Sequence, residues 1–435
     1  MERLPIKFFS KREEDNMRVE GGGGNKLPSF VLTGEKLVER TEKLSTEFDS
    51  FVSNIQWKED NVPAIMLAKL NPDALAKSHR GKINTLFYGE GKNNVIGLCD
   101  ERTLKIKINS SATSSEIRER LSQPQKYAYE ISCIESISEF KPKIIRSSGF
   151  DDYKVKLLNF QEYSLNKAFE GRFESFLKKN RINYKKTRYS SELEIFKLIH
   201  MDSLMINSLL SSEIFNLTEE IVPMPKAFFE FDSLDTGDDF PVISPDSNDS
   251  YTIVGVLDNG IERNRYLIPW IANKNSPYPS NVITPSHGTK VASIITYGDL
   301  LEGKELVGNK HVKVFDATVF PDTKKESLDE DDLIANIQEM VRNNCNEIKI
   351  WNLSVSITRE IEPDRFSDFA IALDSLQDEC NVLICKSAGN CMNFANVNPI
   401  GHLHEGADSV RSLVVGSLAQ SSEKNDLASV NNPSP

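Results

Sequence analysis

The sequence predicts an α/β fold, with a parallel sheet flanked by helices in the C-terminal part and an α+β region of ferredoxin-like type before it. Two observations predict this. After residue 250, short apolar runs alternate with segments of helical periodicity, which is typical of a parallel sheet covered by helices. Before residue 229, most strand-like runs alternate polar and apolar residues, as half-buried strands do.

Residues 1–60 are predicted to be a polar segment followed by a helix. The glycine run at 21–24 is followed by no Lys-Ser or Lys-Thr, so we interpret it as a flexible turn rather than a phosphate-binding loop. Residues 33–57 have helical periodicity, with apolar residues along one side: Leu37, Leu44, Phe48 and Phe51.

Residues 61–228 are predicted to form the α+β N-terminal domain or domains. The predicted strands are 64–67, 95–98, 104–108, 153–157 and 193–197, and the predicted helices are 114–121, 165–180 and 202–211. The alternation of strands and helices over 150–222 favours a ferredoxin-like unit. A recognition or partner-docking role is one interpretation of this region.

An acidic linker is predicted at 229–250, where a domain boundary is expected. Its composition is dominated by aspartate and proline: Asp232, Asp235, Asp238, Asp239, Pro241, Pro245 and Asp246.

Residues 251–435 are predicted to form the parallel sheet, with strands at 253–257, 312–318, 347–353, 382–386 and 412–415. A helix follows the second strand, capped by Ser327 or Asp329, with acidic residues in its first turn. Its apolar stripe is Leu333, Ile334, Ile337, Met340 and Val341. Residues 369–376 are predicted to form the next crossover helix.

Composition excludes several classes of function. A net charge of −12 argues against a nucleic-acid partner. No run approaches the ~20 apolar residues of a membrane span, and the N-terminus lacks the apolar core of a signal peptide. Six irregularly spaced cysteines favour reduced thiols. We therefore expect a cytoplasmic protein without a membrane partner, and no feature calls for a cofactor.

Two short stretches carry the predicted chemistry. Asp258 ends an apolar run that has the profile of a buried strand, and His287 begins a helical segment. In this order they are two members of an Asp–His–Ser catalytic triad. Taken alone, Asp258 would be better explained by an Asx turn with Gly260. The presence of His287 reverses this and favours catalysis.

These motifs resemble those of the subtilisin-like serine peptidases, the subtilases. The resemblance rests on four segments in the family's order: Asp258-Asn259-Gly260, His287-Gly288-Thr289-Lys290-Val291-Ala292, Asn352-Leu353-Ser354 and Ser387-Ala388-Gly389-Asn390. It implies a subtilisin-like sheet, with Asp258 orienting the imidazole and His287 as general base. Two residues depart from the family's pattern: Asn259 replaces the usual Ser or Thr, and Ser356 replaces a frequent Gly.

The resemblance also implies a substrate site. Asn390 would be the oxyanion-binding amide, and two backbone walls would form the pocket for the substrate side chain: Ser354, Val355 and Ser356 on one side and Ser387, Ala388 and Gly389 on the other. The family's Gly-Thr-Ser motif, which holds the nucleophile, does not occur in these 435 residues. We therefore expect the serine beyond residue 435, and expect the chain as given to be an inactive fragment.

The sequence thus predicts a serine endopeptidase acting on proteins or peptides, with no metal. The N-terminal α+β region would be propeptide-like, as an alternative to partner docking. Three other hypotheses stay open: a catalytically inactive scaffold on the same fold; a phage-defence role with a partner ATPase, from a weak resemblance around residues 4–9; and a metallohydrolase using His287, His402 and His404. We interpret His402 and His404 as loop residues, Cys391 as a packing residue, and 329–332 as the acidic start of a helix.

Overall fold

A computed structural model describes residues 27–55, 63–149, 151–228, 242–303, 311–362, 365–389 and 403–416. The chain divides into two compact units. The first comprises residues 1–97 with 102–139, and the second comprises residues 98–101 with 140–435.

The first unit is a four-stranded sheet covered by helices. Its elements are α1 (Gly34–Ser53), β1 (Ala64–Leu70), α2 (Arg80–Phe87), β2 (Val95–Leu98), β3 (Thr103–Ile108), α3 (Ser111–Leu121), α4 (Ala128–Ser132) and β4 (Ile134–Glu139). The strand order is β2-β3-β1-β4, and β1 runs antiparallel to β3 and β4. The predicted apolar side of α1 is confirmed, because Leu37, Leu44, Phe48 and Phe51 are buried.

The second unit begins with an α+β domain, which we define as residues 143–228. Its elements are β5 (Lys143–Ile144), β6 (Asp151–Leu157), α5 (Tyr163–Lys179), β7 (Tyr184–Arg188), β8 (Glu194–Met201), α6 (Ser203–Leu210) and β9 (Thr218–Pro223). The strand order is β5-β9-β6-β8-β7. The four strands that alternate with α5 and α6 pair antiparallel, which is the predicted ferredoxin-like arrangement.

The rest of the second unit contains the predicted parallel sheet. The last element of the α+β domain is β10 (Ala227–Phe228). It is followed by β11 (Ile253–Asp258), β12 (Ile271–Asn275), α7 (Ser286–Glu302), β13 (Lys313–Thr318), α8 (Glu330–Asn344), β14 (Ile350–Leu353), β15 (Ser356–Ile357), α9 (Asp368–Cys380), β16 (Leu383–Ser387) and β17 (Leu413–Val415). Six strands pair in parallel in the order β12-β13-β11-β14-β16-β17. The five predicted strands are confirmed, and β12 is added at the edge. The first part of the predicted linker, 229–241, lies outside the described residues.

The α+β domain shares its apolar core with helices α8 and α9. Tyr189, Ile195 and Met224 of the α+β domain belong to the same buried cluster as Ile337 of α8 and Phe369 of α9. Short antiparallel pairing of β10 with β15 joins the two parts further. The sheet of the α+β domain is therefore docked on two helices of the parallel-sheet domain.

This docked surface also contains buried ion pairs. The Lys154 Nζ lies 2.7 Å from Glu330 Oε1 and 2.9 Å from Asp368 Oδ2, and the Lys154 and Glu330 side chains are fully buried. Burial opposes the charge, yet the two carboxylates raise the pKa of Lys154 above its ordinary value. Asp368 also accepts from Lys156 at 2.8 Å, and both lysines hold the pKa of its carboxyl far below the usual range, against the effect of burial.

The predicted side-chain cap of α8 is wrong. Asp329 does occupy the N-cap position, but neither it nor Ser327 caps the helix through a side-chain hydrogen bond. The Asp329 carboxylate instead lies 2.5 Å from Lys197 Nζ on β8, because a charged partner from the docked sheet competes with the helix amides.

Among the helices in the described ranges, none has both the length and the apolar character needed to cross a membrane.

Replacing Lys154 tests how strongly the buried ion pairs support the fold. Lys154→Met leaves two buried carboxylates without their shared ammonium, so we expect a loss of about 3–5 kcal/mol in the free energy of unfolding. Denaturant unfolding followed by tryptophan fluorescence measures it. Lys178→Met is the matched control: its ion pair with Glu174 is exposed, so a change within about 1 kcal/mol is expected. Equal effects of the two substitutions would contradict the assignment.

Candidate active site

Asp258 and His287 meet at the carboxyl edge of the parallel sheet. Asp258 is the last residue of β11, between β13 and β14, and its side chain is fully buried. His287 is the second residue of α7. Its Nδ1 lies 2.9 Å from both carboxylate oxygens of Asp258. Since an ionised carboxylate can only accept, this contact places the ring proton on Nδ1 and makes Nε2 the basic nitrogen.

Asn259 ties the end of β11 to the start of α7. Its backbone N–H donates to Asp258 Oδ1 at 2.8 Å. Its side-chain amide donates to the Thr284 carbonyl at 2.7 Å and accepts from the Gly288 N–H at 3.1 Å. The sequence indicated Asn259 only as a departure from the family's pattern, and its positioning role emerges from these contacts.

Gly288 allows the helix to approach the strand. A Cβ atom at this position would lie 2.3 Å from the Gly260 carbonyl oxygen and 3.1 Å from the Asp258 Cβ. Gly260 itself has φ +100°, in the region that favours glycine, where the chain turns away from β11. The two glycines therefore set the distance between the Asp258 carboxylate and the His287 ring.

The surroundings of Asp258 influence its ionisation. Burial raises the pKa of Asp258 above its ordinary value, while the hydrogen bonds from His287 and Asn259 act in the opposite direction. Asp316 of the adjacent strand β13 is also buried, and its carboxylate lies 3.2 Å from Lys274 Nζ. The hydrogen bonds to Asp258 thus favour the ionised form, which a buried carboxylate would otherwise lose.

The two predicted walls of the substrate pocket lie next to each other. A Cβ atom at Gly389 would lie 3.7 Å from Ser356 Oγ, which joins the segment after β14 to the segment after β16. Ser354 Oγ accepts from Asn352 at 3.0 Å, and Ala388 N–H donates to the Val415 carbonyl at 2.8 Å.

The side chain of Val355 is buried in the apolar core, so only its backbone can face a substrate. Asn390, the predicted oxyanion residue, lies outside the described residues, as do Cys391 and His402.

His404 lies at the same place, although the sequence analysis interpreted it as a loop residue and did not assign it to the substrate pocket. Its Cδ2 atom would be 3.3 Å from a Cβ at Gly389. Residues 404 and 389 are distant in sequence and both lie in irregular segments, so no periodic pattern could place them together. His404 therefore lies beside Gly389, next to Ser356, and both of these residues are predicted to line the substrate pocket.

Lys386 is a second residue that the sequence did not indicate. It is almost fully buried on β16, and its Nζ donates to the Ser387 carbonyl at 2.6 Å and to Ser387 Oγ at 3.2 Å. Burial lowers the pKa of Lys386 to about 7. A buried amine thus directly supports one of the predicted pocket walls.

The acidic start of α8 has carboxylates close enough to hold a cation. Ligand atoms of Asp329, Asp331 and Asp332 lie within 4.8 Å of one another. Lys197 Nζ lies 2.5 Å, 3.4 Å and 3.1 Å from these three carboxylates, respectively. A lysine ammonium therefore supplies positive charge where a metal ion would otherwise be attracted.

A carboxylate–imidazole pair at the carboxyl edge of a parallel α/β sheet is the arrangement of the α/β class of serine peptidases. Residues 249–435 match the model of the subtilase family, Peptidase S8. This part of the chain is therefore similar to the subtilases, a family of serine peptidases.

No curated protein matches the chain. Among solved structures, the chain is similar to fervidolysin from Fervidobacterium pennivorans, a keratinolytic enzyme related to subtilisin. The identity is 14%, the match covers 65% of this chain and 46% of that chain, and the TM-score is 0.40. The chain thus spans less than half the length of that enzyme.

The close approach at Gly288 can be tested by adding one methyl group. Gly288→Ala forces α7 away from β11, so we expect a loss of about 2–4 kcal/mol in the free energy of unfolding. Gly298→Ala, on the same helix, meets only Ile294 at 4.0 Å and should be neutral or stabilising by about 0.5–1 kcal/mol. Thermal unfolding of both variants measures the difference. A Gly288→Ala protein as stable as the Gly298→Ala protein would rule out the tight contact.

Lys386 should make stability depend on pH. Because its pKa is about 7 in the folded protein and 10.5 ordinarily, the unfolded chain binds more protons between these values. Wild-type stability should therefore rise with pH across this interval. Lys386→Met removes this effect, so we expect the variant to be more stable below pH 7, by roughly 2 kcal/mol after loss of the bonds to Ser387.

The measurement for Lys386 is a series of denaturant unfolding curves from pH 6 to pH 10. The advantage of Lys386→Met should shrink steadily above pH 7. Lys349→Met removes an exposed lysine and is the matched control, with no such pH dependence expected. A stability difference that stays constant over the series would show that Lys386 is charged throughout.

Proposed function

We propose that the protein is a serine endopeptidase that hydrolyses peptide bonds with Asp258 and His287 as two members of its catalytic triad. The observation that carries the proposal is the 2.9 Å contact between a fully buried carboxylate and the imidazole Nδ1. In this role Asp258 fixes the tautomer of His287 and stabilises the imidazolium. His287 Nε2 takes the proton from the nucleophile and returns it to the leaving amine.

The nucleophile is proposed to be a serine beyond residue 435, in a longer protein of which this chain is a part. Its hydroxyl would attack the scissile carbonyl, and Asn390 would donate its side-chain amide to the oxyanion that forms. Both assignments follow from the resemblance to the subtilase motifs. Without its serine, the chain alone should have a kcat ~10⁶-fold lower than that of the complete enzyme.

The substrate is proposed to bind as an added strand along residues 354–356. The main chain here is extended, since β10 pairs antiparallel through Ala227 and Phe228 with Ile357 and Ser356. Because β10 occupies one edge of β15, the substrate is proposed to add along the opposite edge, which is a common mode of peptide binding. The side chain next to the scissile bond would enter between Ser356 and Gly389.

The triad assignment is tested in the natural full-length gene product. Reading the gene past codon 435 should reveal a Gly-Thr-Ser segment, and the protein should cleave a denatured protein substrate. His287→Ala should lower kcat/KM by ~10⁴–10⁶ and Asp258→Asn by ~10⁴. The matched control is His200→Ala, which removes a largely exposed imidazole of the α+β domain and should leave activity unchanged. A stop codon after Pro435 together with a soluble, inactive protein would favour the scaffold hypothesis.

A further inference from the structure

We propose that Arg359 couples the docked α+β domain to the floor of the substrate pocket, so that this domain is a positioning element for residues 403–406. The inference rests on the proposed function only where it calls the space between Ser356 and Gly389 a substrate pocket. The contacts themselves are independent of that assignment. They form a continuous series from β9 to His404.

The first contact joins the α+β domain to Arg359. Glu220, on β9, has a side chain only 2% exposed. Its Oε1 accepts from Arg359 Nη2 at 3.0 Å and from Arg365 Nη2 at 3.1 Å. Both guanidinium groups also contact Glu362 Oε1, at 3.4 Å for Arg359 and 2.8 Å for Arg365. Glu220 is the buried member of this group of charges, so its two charged hydrogen bonds restrain the orientation of both guanidinium groups from the side of the α+β domain.

The second contact joins Arg359 to the segment 403–406. Arg359 Nε lies 3.3 Å from Glu405 Oε1, and the Arg359 carbonyl accepts from the Glu405 N–H at 3.0 Å. The Ile361 N–H donates to the Leu403 carbonyl at 2.8 Å, and Glu360 and His404 form an antiparallel bridge. Arg359 thus holds the segment through both its backbone and its side chain.

The segment in turn shapes the pocket. His404 precedes Glu405 and lies beside Gly389 and Ser356, as described above. Any shift of Glu405 is transmitted to His404 through a single peptide unit. The position of the imidazole at the pocket therefore depends on the guanidinium that Glu220 holds in place.

The charge around Glu405 reinforces this dependence. Burial and the nearby Glu330 raise the pKa of Glu405 to about 8, while Lys154 and Arg359 act in the opposite direction. Lys154 belongs to the α+β domain, and Arg359 is held by that domain. Both cations that favour the ionised form of Glu405 are thus supplied or oriented from the docked sheet.

Hydrogen exchange on the chain as given tests the coupling without any need for activity. In Glu220→Gln, the amides of 405–409 should exchange on the order of tenfold faster, as loss of a charged hydrogen bond would give. Arg359→Lys should have the same effect, because an ammonium cannot reproduce the two-sided contact of the guanidinium. The matched control is Glu219→Gln, the neighbouring carboxylate on β9, which faces Lys156 instead. Its exchange at 405–409 should equal that of the wild type.

Amides of α8 report whether the α+β domain stays docked. Coupling through Arg359 predicts unchanged protection of α8 in Glu220→Gln. Unchanged exchange at 405–409, or faster exchange at 405–409 and α8 together, would overturn the proposal, since the second result means undocking of the whole domain.

In the full-length protein, Glu220→Gln should raise KM severalfold more than it lowers kcat. An absence of peptidase activity in the wild type would refute the proposed function and leave the exchange result standing.

Discussion

The structure depends on the close approach of helix α7 to the end of strand β11. A carboxylate that is fully removed from water is unfavourable unless its charge is met by hydrogen-bond donors. Asp258 is met by the adjacent backbone amide of Asn259 and by the imidazole of His287, and Gly288 allows the close approach of α7 that brings the imidazole into reach. The side chain of Asn259 then fixes the start of α7 against the end of β11, through hydrogen bonds with Thr284 and Gly288. The same contact therefore stabilises the buried charge of Asp258 and orients the imidazole of His287.

A second group of buried charges lies between the α+β domain and helices α8 and α9. Such pairs contribute little net free energy to the docking of the α+β domain, because both charged partners lose hydration when they meet. Their effect is on specificity, since a mispositioned sheet would leave Lys154 or Glu220 without a partner. The shared apolar cluster around Ile337 and Phe369 supplies the attraction, and the ion pairs fix the register. A domain held in this way has one defined position, which is what a positioning role for the pocket requires.

Local patterns were enough to predict many of the apolar elements, and long-range charges account for two of the strands that were missed. Strands such as β11 and helices such as α1 bury their own apolar residues, so their periodicity is visible in the sequence. Strand β7 reads Tyr-Lys-Lys-Thr-Arg, and β12 is equally polar. Their lysines are paired by carboxylates from other elements, such as Lys185 by Asp331 and Lys274 by Asp316, which no local pattern indicates. The predicted side-chain cap of α8 is absent for the same reason, because the Asp329 carboxylate pairs with Lys197 of another element. In the candidate site, Asp258 and His287 were predictable from their motifs, whereas His404 depended on loop geometry.

Two buried titratable groups at one edge of the sheet show how differently such a fold treats charge. Asp258 and Lys386 lie on β11 and β16, on either side of β14, and Leu353 of β14 is next to both ends. Asp258 has an imidazole as a partner that can take up a proton. Lys386 has a carbonyl and a hydroxyl, which stabilise an ammonium only weakly compared with a carboxylate. The carboxylate is thus equipped to stabilise a positive charge that appears on its neighbour, whereas the lysine is poised to lose its own. A peptidase needs the first property at its base. The second leaves a buried amine on β16, next to one of the predicted pocket walls, whose charge is opposed by burial.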